Sequence, residues 1–187
     1  GPLAAMEIPM KTFGKLAALG LVAIVAAPIA AKAPTPAAQA IASAPVFTGE
    51  GRDAGYAVVI VRRDKATLRV SFTGITPGEH GLHFHTTGSC KGPKFTSAGG
   101  HLNPGGHQHG TKNPMGSHLG DLPNVTADAS GVAFADIALK GSARALVAEM
   151  MDKDGTAIVL HAGPDDYLTD PAGNSGDRIA CGVFRKN

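Results

Sequence analysis

Tryptophan is absent from this chain of 187 residues, and aromatic residues make up only 5% of it. Charge is also scarce and nearly balanced, because 17 Lys and Arg stand against 15 Asp and Glu. Nucleic-acid binding needs a basic stripe with aromatic side chains between the charges, and no such stripe is visible, so this class of partner has little support. Glycine and proline are plentiful instead, with 25 and 13 residues, which favours a turn-rich β fold over a helical bundle.

Long hydrophobic runs are missing apart from one near the N-terminus, at 16–31. That run has 16 residues and is interrupted by Gly20 and Pro28, whereas a membrane-spanning helix needs about 20 residues. Lys11 and Lys15 precede the run, and small residues follow it. A short basic region, an apolar stretch and a small-residue cleavage site are typical of a secretory signal peptide. We therefore expect export without stable insertion of the mature chain into a membrane.

The preferred cleavage site of this signal peptide is Ala38-Gln39-Ala40, which has small residues on both sides of the glutamine. Residues 1–5 are interpreted as an expression scar that precedes the signal peptide. The sequence therefore predicts a processed segment at 1–40 and one mature domain at 41–187. The mature domain is expected in the periplasm or outside the cell.

Cysteine is scarce as well, because Cys90 and Cys181 are the two present. Two thiolates are too few for a zinc site built from cysteines. Two independent buried thiols are unexpected in an oxidising compartment, so the pair predicts a disulfide. A disulfide between Cys90 and Cys181 would close a loop of about 92 residues, and in the chain-entropy model this stabilises the fold by roughly 4–5 kcal/mol.

The mature chain contains several short stretches with the pattern of β-strands. Apolar and polar residues alternate at 67–72, and 157–160 is apolar throughout. A period of two indicates strands with one buried face. Two segments, at 88–124 and 164–177, lack this period and are interpreted as long loops. The pattern predicts an all-β sandwich or flattened barrel of about eight antiparallel strands, with 145–151 as a short helical turn or a distorted strand.

Histidine is concentrated in one part of the sequence, because seven of the eight fall between His80 and His118. An adventitious His-rich loop or the remains of a tag would give one homopolymeric run. Here the histidines are set among apolar residues and glycines. Imidazole is the commonest side-chain ligand of zinc and copper, so this density predicts metal binding.

Two donor sets can be drawn from these residues. His83 and His85 are two apart on a predicted strand and share one face, and His161 on another strand can complete an all-nitrogen site, which suits copper. Three imidazoles and one carboxylate form a set that suits zinc. The candidates for this second set are His101, His109, His118 and Asp121.

Four motifs resemble those of the copper–zinc superoxide dismutases, and in combination they are highly specific. They are GLHFH at 81–85, GGHLNP at 99–104, HLGDLPN at 118–124 and GNSGDRIACG at 173–182. The resemblance covers 41–187 and implies the eight-stranded antiparallel Greek-key β-barrel of that family, with two long functional loops. The second long loop of this chain lacks the Lys and Glu cluster that is often associated with guiding superoxide. In this respect the chain is similar to the exported bacterial type of the family.

The resemblance also implies a role for each residue of the site. Asp165 would hydrogen-bond one histidine of each donor set, and Arg178 would attract and dock an anionic substrate beside copper. The family disulfide corresponds to Cys90–Cys181. His101 would bind both metals. The implied ligands are His83, His85, His101 and His161 for copper, and His101, His109, His118 and Asp121 for zinc.

Two neighbouring histidines are expected to lie outside the ligand sets. The family spacing from His101 selects His109, so His107 is expected to be a solvent-exposed loop residue. His80 matches a structural histidine that hydrogen-bonds the backbone.

The activity implied by the resemblance is the disproportionation of superoxide to dioxygen and hydrogen peroxide. Copper would be alternately reduced and oxidised, and His101 would pass a proton to the second superoxide. The alternative is an exported copper- and zinc-binding module on the same fold without turnover, which the loss of a copper ligand or of Arg178 would favour. A zinc hydrolase is weaker, because neither donor set leaves zinc an open position beside a general base. Superoxide is the expected partner, and a homodimer is left open.

Overall fold

The computed structural model describes residues 35–187 of the chain. The predicted expression scar and most of the predicted signal peptide lie outside these described residues. Strand β1 begins at Gln39, two residues before the predicted start of the mature domain. The division at 40/41 therefore stays a prediction.

Within the described residues the fold is all-β, as the sequence predicts, with one short α-helix, α1, at Ala143–Met150. A 3₁₀ turn at Thr96–Ala98 lies in the first long loop. The strands are β1 Gln39–Thr48, β2 Asp53–Arg62, β3 Lys65–Phe72, β4 Gly78–His80, β5 Leu82–His85, β6 Val125–Ala127, β7 Ala133–Ala138, β8 Ala157–His161, β9 Arg178–Val183 and β10 Arg185–Lys186.

The expected number of about eight strands is therefore two short of the ten that these residues form. The difference lies in the short elements β4 and β10, which have three and two residues. Stretches of this length carry too little alternation to be recognised from sequence. The segment left open between a helical turn and a distorted strand is helix α1, whose first turn is capped where Ala145 N donates to Ser142 Oγ at 3.2 Å.

The strands form a curled antiparallel sheet in the order β5-β8-β9-β1-β2-β3-β7, with β10 beside β1, while β4 pairs with β6. The hairpin-connected strands β1, β2 and β3 lie side by side, and β9 returns to the far side of β1. After β3 the chain crosses over, because β3 pairs with β7 and not with the strands that follow it directly, and such long connections between non-consecutive strands are typical of Greek-key folds. Because β9 also pairs with β8, and β8 with β5, the strand bearing His161 lies between those bearing His83 and Arg178.

Alternation explains why one face of this sheet forms the core. On β3, Ala66, Leu68, Val70 and Phe72 are buried, while the residues between them are at least partly accessible. Phe84 and Phe184 pack edge to face in the same core, with ring centroids 5.6 Å apart. In the described residues no helix is long and apolar enough to cross a membrane.

The predicted disulfide is confirmed, because Cys90 is bonded to Cys181 of β9. Phe95 and Ala98 pack with this disulfide against Ala157 and Val159 of β8 in a small apolar cluster of their own. The disulfide and this cluster therefore hold the start of the first long loop against the strands β8 and β9.

Candidate metal centre

Backbone pairing brings the first long loop onto strand β5. Thr86 N donates to Gly100 O at 2.9 Å, and Leu102 N donates to Phe84 O at 2.8 Å. These two bonds flank an isolated antiparallel bridge between His85 and His101. A second isolated bridge joins His83 to Asp121. The strand and the loop thus place predicted ligands of both sets side by side.

Four histidines form a first cluster, whose ligand nitrogens lie within 4.8 Å of one another: His83, His85, His101 and His161. Each has a buried ring nitrogen without a hydrogen-bond partner in the described residues, Nδ1 of His83 and Nε2 of the other three. A buried polar atom normally has a partner, so four such atoms side by side need an explanation. Four converging imidazole lone pairs fit a metal ion, and this donor set suits copper.

The opposite ring nitrogens of the same cluster are hydrogen-bonded. His83 Nε2 donates to Asp165 Oδ2 at 2.8 Å, and His85 Nδ1 donates to Gly99 O at 2.9 Å. His161 Nδ1 donates to Gly176 O at 3.0 Å. These bonds fix the proton on the far side of each ring and aim the lone pair at the cluster.

A second cluster consists of the Nδ1 atoms of His101, His109 and His118 and the Oδ1 atom of Asp121. His101 Nδ1 lies 3.3 Å from each of the other two nitrogens, and the three nitrogens lie 3.0–3.1 Å from Asp121 Oδ1. Zinc–nitrogen bonds in tetrahedral geometry place neighbouring ligands about 3.3 Å apart. The spacing of these four atoms therefore fits zinc.

His101 belongs to both clusters through different atoms of one ring. Its Nδ1 atom lies in the second cluster, and its Nε2 atom is the unpartnered nitrogen that faces the first. The rings of His101 and His83 stack with centroids 3.9 Å apart, which brings the two clusters into direct contact. One imidazole can thus join two metal ions.

Burial controls the protonation of the first cluster. Desolvation lowers the pKa of His85 to about 2, that of His83 to about 3 and that of His161 to about 4. It also lowers the pKa of His101. These imidazoles are therefore neutral at neutral pH, which is the form that binds a metal ion.

Contacts between carboxylates and histidines set the protonation of the second cluster. Burial alone would lower the pKa of His109, but contacts with Asp121 and Asp165 raise it to about 9. Burial alone would raise the pKa of Asp121, but contacts with His101 and His109 hold it well below its ordinary value. An ionised carboxylate is therefore present among the three nitrogens.

Asp165 connects the two clusters from the second long loop, between β8 and β9. Its buried carboxylate accepts from His83 Nε2 at 2.8 Å and from His109 Nε2 at 2.9 Å. Burial alone would raise the pKa of Asp165, but these two hydrogen bonds hold it well below its ordinary value. The carboxylate thus orients one histidine of each cluster.

The side chain of Asn124, the last residue of the HLGDLPN motif, holds Asp165 in place. Its Oδ1 accepts from Asp165 N at 2.9 Å, and its Nδ2 donates to Asp165 O at 3.0 Å. Gly173 lies on the other side, with φ +64, and a Cβ there would collide with the Asp165 carboxylate. Asn124 belongs to the motif at 118–124, but no sequence period predicts that its partner lies in the second long loop.

Arg178 lies at the start of β9, at the rim of the first cluster. Its guanidinium is half-buried and donates from Nη1 to Phe95 O at 2.8 Å and from Nη2 to Gly99 O at 2.7 Å. A depression of about 380 Å³ is lined by Arg178 together with His101, His118 and His161. Burial lowers the pKa of Arg178, but a guanidinium stays charged at neutral pH. A small anion entering this depression meets a fixed cation beside the histidines.

The histidines expected to lie outside the clusters do so. His107 is exposed, and its backbone pairs with the Asn103 side chain. His80 is buried, with its Nδ1 atom 2.7 Å from His161 O and its Nε2 atom 2.7 Å from Thr76 O. His80 therefore contacts backbone carbonyls, in line with the structural role expected for it.

Two four-ligand clusters that share one imidazole, on a curled antiparallel sheet, define a dinuclear metalloprotein. The family model for copper/zinc superoxide dismutase (SODC) matches residues 54–184. A Cu-Zn superoxide dismutase of Caulobacter vibrioides is 42% identical over 150 residues, which covers 77% of this chain and 85% of that protein. The chain belongs to the copper/zinc superoxide dismutase family.

Two further comparisons agree with this membership. Superoxide dismutase (Cu-Zn) 2 of Aquifex aeolicus is 42% identical over 151 residues, which covers 77% of this chain and 86% of that protein. The crystal structure of a SOD-like protein from Bacillus subtilis superimposes with a TM-score of 0.71 at 36% identity. The superposition covers 75% of this chain and 96% of the Bacillus subtilis chain.

Proposed function

We propose that this protein is a superoxide dismutase, which converts two superoxide ions and two protons into dioxygen and hydrogen peroxide. The observation that carries the proposal is the position of His101 in both clusters: its Nε2 faces the other three histidines of the first, and its Nδ1 lies with His109, His118 and Asp121 in the second. The first cluster suits a redox metal and the second suits zinc.

In this proposal His83, His85, His101 and His161 hold copper, while His101, His109, His118 and Asp121 hold zinc. Bound copper would supply one-electron transfer in both directions, whereas zinc has no redox chemistry. The protein's own contribution is to hold the rings. Asp165, Gly99 O and Gly176 O fix the far nitrogens, so that the ligand nitrogens need not reorient when the oxidation state changes.

His101 has a second task, which is to move a proton. Its Nδ1 atom stays in the zinc cluster, while its Nε2 atom faces the first cluster and the depression lined by Arg178. When its lone pair is not used for metal binding, Nε2 can take up one proton and deliver it to the reduced substrate, which needs a second proton, from water, to become hydrogen peroxide. A proton donor fixed at the reacting centre acts as a general acid.

Arg178 would dock the substrate anion. Two backbone carbonyls hold its guanidinium in place, so little conformational entropy is lost when an anion binds. The chain carries a formal charge of only +2, so attraction must come from this local cation rather than from the net charge.

The proposed activity is tested by stopped-flow decay of superoxide with protein loaded with copper and zinc. The decay rate should rise in proportion to the copper bound per chain, and the metal-free protein should be inactive. A fully loaded protein that leaves the spontaneous decay rate unchanged would favour the binding module without turnover.

Removal of the Asp165 carboxylate should weaken both metals. In Asp165→Asn one amide oxygen remains, but the amide nitrogen faces a ring N–H that needs an acceptor. We expect copper and zinc affinity each to fall about 10- to 100-fold, as for other residues that orient a metal ligand. Competition with a chelator measures both affinities. If only one metal were affected, Asp165 would not connect the two sites.

Removal of the disulfide should lower stability and disturb the first loop. In a Cys90→Ser, Cys181→Ser double variant we expect the thermal midpoint to fall by roughly 10 °C, since about 3 kcal/mol or more is lost. Zinc should also dissociate faster, because the loop that carries the zinc histidines is no longer held to β9. Calorimetry and zinc release measure the two effects, and unchanged values in the variant would contradict this role.

We also propose that the chain is exported to the periplasm or secreted. The proposal is supported by the signal-like N-terminal sequence and by the disulfide, which is typical of oxidising compartments. Cell fractionation with N-terminal sequencing of the mature protein tests it. Sedimentation of the mature protein distinguishes a monomer from a homodimer, the alternative left open by the sequence.

A further inference from the structure

The metal-site histidines differ in how their outward-facing nitrogens are held. The outward-facing nitrogens of His83 and His109 donate hydrogen bonds to Asp165. That of His85 donates to Gly99 O, and that of His161 donates to Gly176 O. His101 uses both nitrogens towards the clusters. Among the described residues, none forms a hydrogen bond with the outer nitrogen of His118, Nε2.

A carboxylate oxygen lies near that nitrogen. Asp170 Oδ1, on the second long loop, is 4.0 Å from His118 Nε2, and the Asp170 side chain is 48% exposed. The same oxygen accepts a hydrogen bond from the backbone N–H of His109 at 2.5 Å. One atom of Asp170 therefore contacts the backbone of one zinc-cluster histidine and faces the ring of another.

We infer that Asp170 is a positioning residue of the zinc cluster: it fixes the His109 backbone and serves as the acceptor for His118 Nε2–H, directly or through one water. A metal-bound imidazole donates its other N–H to a carboxylate, a carbonyl or water. A separation of 4.0 Å closes to a hydrogen bond with a small shift, or accommodates a bridging water. This inference rests on the proposed zinc site and adds a residue to it.

Asp170 directly follows a turn of the second long loop that the Asp166 side chain stabilises by hydrogen bonds. Asp166 Oδ1 accepts from Leu168 N and from Thr169 N, both at 2.8 Å, and Asp166 Oδ2 accepts from Thr169 Oγ1 at 2.6 Å. Asp166 thus shapes the loop but is not in hydrogen-bond contact with a histidine. It is therefore a matched control for loss of a loop carboxylate.

The inference predicts a selective effect on zinc. In Asp170→Ala, zinc should dissociate about 10-fold faster than from the wild type. Copper release should change little, because Asp170 makes no hydrogen bond to His83, His85 or His161. Asp170→Asn retains an acceptor for the His109 N–H but loses the charge that faces His118, so its zinc dissociation rate should lie between the two.

The test loads wild type, Asp170→Ala, Asp170→Asn and Asp166→Ala with zinc and copper, and then follows release of each metal into an excess of chelator. Selective zinc loss from the Asp170 variants, with a smaller effect in Asp166→Ala, supports the inference. Equal zinc loss from Asp166→Ala and Asp170→Ala would mean that Asp170 only maintains the structure of the loop, and would overturn the inference. Wild-type zinc retention in Asp170→Ala, or equal loss of copper, would also overturn it.

Two outcomes separate parts of the account. Wild-type zinc retention in Asp170→Asn, with fast loss from Asp170→Ala, would support the inference, because an amide oxygen at the position of Oδ1 still accepts from both N–H groups, and would show that the charge is not required. A wild-type protein that bound no zinc would overturn the proposed zinc site itself, whereas zinc binding that is indifferent to Asp170 overturns the inference alone.

Discussion

Replacing His101 by alanine is expected to remove catalysis and to disturb both metals. The substitution deletes Nε2 from the first cluster, proposed to hold copper, and Nδ1 from the second, proposed to hold zinc, so each would lose one of its four proposed ligands. It also removes the proposed proton donor, and loss of a general acid alone costs 10²–10⁴-fold. We expect turnover to fall at least about 100-fold, even in protein that retains copper.

His107→Ala is the matched control, because His107 is an exposed histidine of the same loop without a place in either cluster. Its activity and its copper and zinc contents should equal those of the wild type. Metal content per chain is measured by elemental analysis before each assay. A copper-loaded His101→Ala variant with full activity would show that no bridging imidazole is needed.

Charge reversal at Arg178 is expected to have the second-largest effect. Arg178→Glu places a negative charge at the rim of the copper cluster and should slow superoxide consumption by about 10- to 100-fold at low salt. Arg178→Lys keeps the charge but cannot present the planar fork that contacts Phe95 O and Gly99 O together, so it should retain part of the activity.

Ionic strength and a second charge reversal separate local steering from net charge. Salt screens attraction beyond about 8–10 Å, so the gap between the wild type and Arg178→Glu should narrow as salt rises. Arg144→Glu changes the net charge equally, but Arg144 is exposed on α1 and should have little effect. Rates are compared at equal copper content. Equal low-salt rates for wild type and Arg178→Glu would mean that Arg178 does not guide the substrate.

Regular strands were predictable because their signal is periodic. The two-residue spacing of His83 and His85 indicates a shared face, and both rings enter the first cluster. The all-β antiparallel class is confirmed, because each strand carries its own alternation. The disulfide between Cys90 and Cys181 is confirmed although the two residues lie 91 positions apart, because a chain with two cysteines offers a single possible pair.

The long loops could not be predicted in this way, because their order comes from side-chain contacts between segments far apart in sequence. Asn124 pairs with the backbone of Asp165, 41 residues later, and Asp170 accepts from His109, 61 residues earlier. Neither contact follows from a period or a propensity. The family motifs selected the candidate ligands and contain Asn124 and Gly173, but they gave no indication that these two residues contact Asp165, and Asp170 lies in none of the four motifs.

Product stoichiometry tests the central claim most directly. Protein loaded with copper and zinc is mixed with a large excess of superoxide, and both dioxygen and hydrogen peroxide are measured. Disproportionation through alternate oxidation and reduction predicts one dioxygen and one hydrogen peroxide for every two superoxide ions, formed faster than with the metal-free protein and over many turnovers per copper. Accelerated consumption that ends after one superoxide per copper, or accelerated peroxide formation without dioxygen, would contradict the account.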